Sequence, residues 1–447
     1  MAGKKTQAQL TPEEKLQQAL VPEAEQPYKV PANWCWVKAG IVTNIFNGNS
    51  INEKIKAEKY YGKKEGLIFI ATKDIGFDNV VNYETNVKIT DYQNFKIAPA
   101  NTALLCIEGG SSGRKVGFVD QNVCFGNKLC AFASNIINSK FIYYILQSQC
   151  FYDQFNNKRH GLIGGVSIKD LAEMYFMIPP LAEQQRIVER IESLFAKLDE
   201  AKENLQNVLD GFETRKAAIL RKAFTGELTA NWRKQHGISM DSWEMCEFNQ
   251  IADIKTNLVN PIDFQSYPHI APDNIEKKTG KLLYYNSVAE DNVKSGKHRF
   301  YAGQILYSKI RPYLSKVIIA EFDGLCSADM YPIEAKGNTR FLWYYMLSEH
   351  FVYQASTAGS RTVLPKINQK ELSKLKINMP TLSEQTEIVR IIDDLLAKEQ
   401  QAHSVVQNAL AKIDLIKKSI LARAFRGQLA TNNPADEPAL KLLERVL

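Results

Sequence analysis

Paired cysteines are missing from this sequence. Its seven cysteines, Cys35, Cys106, Cys124, Cys130, Cys150, Cys246 and Cys326, are odd in number and contain no Cys-x-x-Cys. In a chain of 447 residues that pattern reads as free thiols in a reducing compartment, not as a disulfide framework or a zinc site. Long apolar runs are missing too. No stretch approaches the roughly 18 residues of a membrane span, and no apolar core follows the lysines of MAGKKTQAQL, which argues against a secretory leader. Strong charge of one sign is also absent: a net charge of +7 and a pI near 8.8 permit a polyanionic partner without demanding one.

Catalytic signatures are equally scarce. Six histidines are scattered without metal-ligand spacing. Gly161-Leu-Ile-Gly-Gly165 does not spell the GxGxxG of a dinucleotide site. Pro179-Pro180-Leu181 lacks the preceding Asn or Asp and the following aromatic of an amino-methyltransferase loop. Neither a paired-carboxylate nuclease pattern nor a nucleophile elbow is found.

What is present is a duplication. Pro179–Leu228 and Pro380–Leu429 align without a gap, with about 21 of about 50 positions identical. Weaker echoes precede them: Ile70–Ile75 matches Ile270–Ile275, Phe141-Ile-Tyr-Tyr matches Phe341-Leu-Trp-Tyr, and Trp36 and Trp243 open the two halves. Hydrophobic residues at 45% and charged residues at 23% are ordinary globular values, so each half reads as a folded module followed by a near-identical segment.

The repeated segments are helical. Ile187, Ile191, Leu194, Leu198, Ala201, Leu205, Val208 and Phe212 alternate steps of four and three, the period of a coiled-coil seam. Ile388, Ile392, Leu395, Ala402, Val406, Ala409, Ile413, Ile416 and Ile420 repeat it, with Glu399 as one polar intruder. Thr381-Leu-Ser-Glu384 has the form of a capping box, and Gly226 and Gly427 sit where helices end. Each helix is expected to run about 43 residues, ~65 Å. A rod that long cannot bury its stripe alone, so the two are expected to pair antiparallel, about a pseudo-twofold axis.

The modules read as mixed α/β, with strands at Gly66–Ala71, Thr102–Ile107, Gln304–Tyr307 and Lys316–Ala320 and helices at Phe141–Gln149 and Arg340–Ser348. The expected division is an N-terminal tail (1–27, with a helix near Pro12–Leu20), a module at 28–178, a helix at 179–230, a module at 231–378, a helix at 379–430, and a C-terminal tail (431–447) with a last short helix.

Two loops carry the chemistry that is left. Glu108-Gly-Gly-Ser-Ser-Gly-Arg-Lys115 combines glycines, hydroxyls and a basic pair, which suits close approach to phosphate oxygens; its spacing is not that of a Walker A loop. Ser308-Lys-Ile-Arg-Pro-Tyr-Leu-Ser-Lys316 lies at the matching place, within a stretch (273–316) holding nine Lys or Arg against four Asp or Glu. A tight turn with solvated cations explains either loop alone, but their recurrence in both halves favours nucleic acid. Asn157-Lys-Arg-His-Gly161 and Ser356–Thr362 could add donors to phosphates or base edges.

The organisation resembles the specificity subunit of Type I restriction–modification systems. The residues that carry the resemblance are Pro179–Gln185 with Ala223–Leu228, Pro380–Gln385 with Ala424–Leu429, Trp34-Cys-Trp36, and Ile310–Leu314. The resemblance implies two α+β target-recognition domains separated by two long antiparallel helices, each domain reading half of a bipartite, asymmetric DNA site. It implies that the helices fix the unread gap and dock two modification (methyltransferase) subunits, which restriction subunits join. S-adenosylmethionine would then belong to the modification subunit, ATP and Mg2+ to the restriction subunit, and no cofactor or metal to this chain.

On this reading the chain is a cytoplasmic, non-catalytic DNA reader. The expected DNA-facing residues are Lys73, Ser111, Ser112, Arg114, Lys115, Lys158 and Arg159 in the first module and Asn274, Lys309, Arg311, Lys316 and Arg361 in the second. Ile187, Ile191, Leu194, Ile388, Ile392 and Leu395 are expected to pair the helices. The alternatives are a stand-alone methyltransferase or nuclease with built-in recognition domains, a specificity subunit of another phage-defence methylation complex, and a coiled-coil scaffold without DNA contact.

Overall fold

The computed structural model describes residues 11–160, 164–358 and 365–445. It divides into two units, one of residues 1–204 with 409–447 and one of residues 205–408. Each unit therefore takes part of both duplicated segments. Among the described residues no helix is long and apolar enough to cross a membrane.

The two units share one plan. In the first, an antiparallel sheet runs in the order Asn44–Asn47, Leu129–Ala133, Thr102–Cys106, Val116–Val119. A second sheet contains one parallel pair, Leu67–Ile70 against Val123–Phe125. Cys35–Lys38 pairs with Tyr175–Ile178 and joins the entry of the module to its exit. The second unit repeats each pairing: Ala252–Ile254, Met330–Ala335, Ile305–Ser308 and Val317–Ile319 form the antiparallel sheet, Pro268–Ile270 lies parallel to Gly324–Cys326, and Glu244–Glu247 pairs with Lys376–Met379. All four expected strands and both expected short helices are present, the helices as Ser139–Leu146 and Thr339–Leu347.

Within each unit the helical segments pair antiparallel. In the first, Ile187 and Ile191 share a core with Leu421, Ala424 and Phe425, while farther along Lys417 lies 5.0 Å from the Phe195 ring and 2.5 Å from Asp199. One helix rises in number as the other falls. In the second, Leu220 and Ala223 pack with Ile388 and Ile392, then Arg215 bonds Glu399 at 2.8 Å and Phe212 meets His403. The polar intruder Glu399 thus has its cation on the facing helix. Leu194 and Leu395 are half-buried.

One long helix, Leu382–Ala424, is continuous; the other is not. It breaks at Gly211 into Leu181–Asp210 and Phe212–Phe224, where the sequence pattern predicts a single rod. Glycine carries little penalty for the break, and Arg215 Nη1 lies only 2.7 Å from where a Cβ would stand. The expected terminal glycines do adopt the left-handed conformation, Gly226 at φ 77° and Gly427 at φ 69°.

A buried glutamate locks each module to its helix. Glu384 is fully buried; it accepts hydrogen bonds from Trp243 Nε1 (2.9 Å), Thr229 Oγ1 (2.6 Å) and Arg233 Nη1 (2.5 Å). Glu183 takes the same place in the first unit, bonded by Trp34 Nε1 (2.8 Å), Asn432 Nδ2 (2.9 Å) and Thr431 Oγ1 (3.3 Å), with no cation among those partners. Two expectations change. The counterpart of Trp243 is Trp34, not Trp36, which instead donates to Tyr28 O. The capping box is only half made: Thr381 Oγ1 accepts from Glu384 N at 3.4 Å, but the carboxylate turns away to its buried partners.

Residues 11–27 and 431–445 are not free tails. Val21 is buried and its N–H donates to Trp36 O at 2.9 Å, next to the helix Pro12–Ala19. Ala439 and Leu443 of the last helix enter the core of the first unit, and Ala439 N donates to Asn33 O.

Candidate nucleic-acid interface

Both loops singled out by sequence leave the central antiparallel sheet at the same place and are held by the same bonds. In the first unit Ile107 N donates to Lys128 O (3.0 Å), Val166 N to Ile107 O (3.2 Å) and Cys106 N to Lys115 O (3.0 Å). In the second the corresponding bonds are Lys309 N to Asp329 O (2.9 Å), Ile367 N to Lys309 O (2.9 Å) and Ser308 N to Lys316 O (3.0 Å). Each loop needs two left-handed residues. Glycine supplies them in the first unit, Gly109 (φ 88°) and Gly113 (φ 72°), whereas the second uses Arg311 (φ 48°) and Ser315 (φ 47°). A left-handed arginine is strained by about 1 kcal/mol or more, and strain of this kind concentrates at working sites.

A lysine braces each loop to a neighbouring 3-10 turn. Lys115 Nζ donates to Thr72 O (3.2 Å) and Lys316 Nζ to Pro272 O (2.7 Å). The turns are themselves closed by Asp74 and Asn274, which accept from the backbone N–H of Ala71 and Ala271. Thus Lys73, Ser111, Ser112, Arg114, Lys115 and Arg159 come together in the first unit, and Asn274, Lys309, Arg311 and Lys316 in the second.

They do not all face outward. Ser112 is fully buried; it donates to Gly164 O (3.1 Å) and accepts from Arg159 Nη2 (2.5 Å). Asn274 is buried in its turn, and Lys316 is committed to a carbonyl. As the side chains stand, these three hold the loops in shape rather than reach a duplex. Ser111 is half-buried beside the Cys106 thiol. Arg114 folds back on Gly110 O. Lys73, Lys158 and Arg311 are exposed, and their side chains make no hydrogen bond or ion pair among the described residues. Arg361 lies outside the described residues.

Sequence reasoning missed Phe77. It is 67% exposed, with the Arg114 guanidinium 5.6 Å and the Lys115 ammonium 4.9 Å from its ring. An exposed aromatic flanked by cations suits a nucleic-acid surface. Also missed was the setting of Lys309, whose ammonium lies 5.1 Å from the Tyr331 ring and is held below the usual lysine range by burial and by the like charge of Lys366.

Residues 31–210 and 240–408 match the family model described as the Type I restriction modification DNA specificity domain. The chain is 40% identical over 326 residues to the Type I restriction enzyme EcoDI specificity subunit of Escherichia coli, covering 68% of this chain and 73% of that one. It is 24% identical to the EcoKI specificity subunit of E. coli strain K12, covering 92% of each. Among solved structures, the HsdS subunit from Thermoanaerobacter tengcongensis matches with a TM-score of 0.62 at 18% identity, over 91% of this chain and 100% of the other. A chain from a structure addressing complex assembly and conformational transition of the type I R-M system matches with a TM-score of 0.64 at 16% identity, over 90% and 100%.

Proposed function

The chain belongs to the Type I restriction–modification DNA specificity family, and from that premise we propose that it reads a bipartite, asymmetric duplex, one half per unit, while catalysis resides in its partners. One observation carries this reading: a single loop frame is built twice and presents different side chains each time, glycines with Arg114 and Phe77 in one unit, a strained Arg311 in the other. Equal frames with unequal faces suit two unequal half-sites. The phosphate contacts would come from the exposed lysines, and the base contacts from side chains at the loop tips.

The partners in this proposal are double-stranded DNA, two modification subunits docked on the exposed helix positions, and restriction subunits joined through them, all in the cytoplasm. S-adenosylmethionine belongs to the modification subunits, ATP and Mg2+ to the restriction subunits. The test is sequencing of methylated bases in a host expressing this chain with its modification subunit. A bipartite motif that disappears without this chain is expected. Methylation by the purified chain alone, given S-adenosylmethionine and DNA, would overturn the division of labour.

Arg311 gives a sharper check. Arg311→Ala is expected to weaken target binding by about 1–3 kcal/mol and relax one base of one half-site. Arg311→Gly should lose the same discrimination without loss of thermal stability, because glycine adopts φ 48° freely and relieves about 1 kcal/mol of strain. A glycine variant with unchanged base preference would remove Arg311 from the reading surface.

A further inference from the structure

Beside the Arg311 loop, the second unit gathers three lysines at places where the first has none. Lys309 opens the loop, Lys366 bridges to Ile310 within it, and Lys297 and His298 lie on the strand that runs antiparallel to Gly324–Cys326. Lys297 and Lys309 both feel the charge of Asp329, the carboxylate that Lys366 already pairs at 3.1 Å. Only Lys366 pairs with that carboxylate; Lys297 donates to Ser295 O (3.1 Å) and Oγ (2.7 Å), groups that carry no charge to offset its own. The Lys309 ammonium has the Tyr331 ring nearby and no hydrogen-bond acceptor among the described residues.

The duplicated frame shows that these charges are not what holds the fold. By their matching backbone bonds, Lys309 corresponds to Ile107, which likewise donates to the carbonyl of the next hairpin and accepts from the segment at 166. Arg299 faces Leu325 as Ile97 faces Cys124, and Phe300 faces Gly324 as Ala98 faces Val123, which puts Phe95 at the place of Lys297 and Lys96 at that of His298. Lys366 bridges to Ile310 as Gly165 bridges to Glu108. The first unit thus has Ile107, Phe95 and Gly165 where the second has Lys309, Lys297 and Lys366, and keeps a cation, Lys96, only at the place of His298. Its local ion pair is a balanced one, Glu108 with Lys128 at 3.5 Å. Burial depresses the ammonium groups of Lys297 and Lys309 and the imidazole of His298, so the cluster is unfavourable in the free protein. Unfavourable positive charge with unused donors is relieved by an anion.

We propose that Lys297, Lys309 and Lys366 form a seat for one backbone phosphate of the duplex, beside Arg311 and distinct from it in role. The proposal rests on the reading of this loop as DNA-facing. Lys309 is then a positioning contact that fixes the register in which Arg311 meets its base. The seat exists in one unit only, so the two half-sites are gripped differently.

The test is binding of the full complex, this chain with its modification subunits, to a duplex carrying its methylated target between about 50 and about 200 mM salt. Lys309→Met is expected to reduce the slope of log affinity against log salt by about 0.9, the value of one phosphate contact. The affinity loss should be uniform across duplexes substituted in either half-site, with Lys309→Arg restoring the slope. Lys297→Met should act in the same direction, and melting temperatures establish that each variant is folded. A folded Lys309→Met with the original slope, or with altered base preference at the original slope, overturns the seat. Absence of salt-dependent target binding by the unsubstituted complex would instead sink the DNA reading on which the seat rests.

Discussion

Glu384→Ala is expected to lower the stability of the chain by about 3–5 kcal/mol, the cost of breaking a buried ion pair from one side. Arg233 is almost completely buried and would lose its carboxylate; Trp243 Nε1 and the Thr229 hydroxyl would lose their acceptor as well. The damage falls where the second module meets its helix, so a shifted denaturant midpoint should be accompanied by a changed Trp243 environment. Glu183→Ala should cost less, about 1–3 kcal/mol for unsatisfied neutral donors, because its partners are Trp34, Thr431 and Asn432 and leave no stranded charge. Glu384→Gln separates the two contributions: it can still accept from Trp243 while removing the charge that Arg233 needs. Equal midpoints for the alanine variants at 183 and 384 would contradict the special role given to Arg233.

These glutamates also mark the limit of sequence reading. The duplication, the heptad stripes and the terminal glycines were legible because each depends on local periodicity or backbone conformation. Glu384 looked like the reciprocal half of a capping box because its spacing from Thr381 is right. Its true partners lie 141 and 151 positions away, and no local pattern reports them. Trp34 and Trp36 are two residues apart, and only the contact with Glu183 identifies Trp34 as the counterpart of Trp243. Both loops are visible in the sequence, but burial decides which of their residues face outward: Ser112 and Asn274 satisfy backbone groups, whereas Lys73 and Arg311 are exposed. Phe77 gave no signal, since a lone phenylalanine is read as core until its exposure is known. Gly211 gives no sign of a break, because the apolar stripe continues through it from Val208 to Phe212.

The proposed role of the helices as a spacer predicts the largest functional effect. Removing one heptad from each long helix, Ala201–Asn207 and Asn408–Asp414, leaves the seam in register, since the stripe repeats every seven residues. It shortens each helix by about 10 Å, the length of about three base pairs. Seven residues fall only about 20° short of two helical turns, whereas three base pairs turn the duplex by about 100°. Distance and azimuth therefore change by amounts that no single gap satisfies. At the original gap one unit should lose its half-site, which lowers methylation of the original target by about a hundredfold or more, given the 10³-fold or greater margin of specific over non-specific binding. Sites with gaps shortened by about one to three base pairs should recover part of that loss. Deleting only two residues from each helix breaks the seven-residue register and should unfold the pair instead, which circular dichroism distinguishes. A folded heptad-deletion variant that still methylates the original motif at full rate would mean that something other than these helices sets the stride between half-sites.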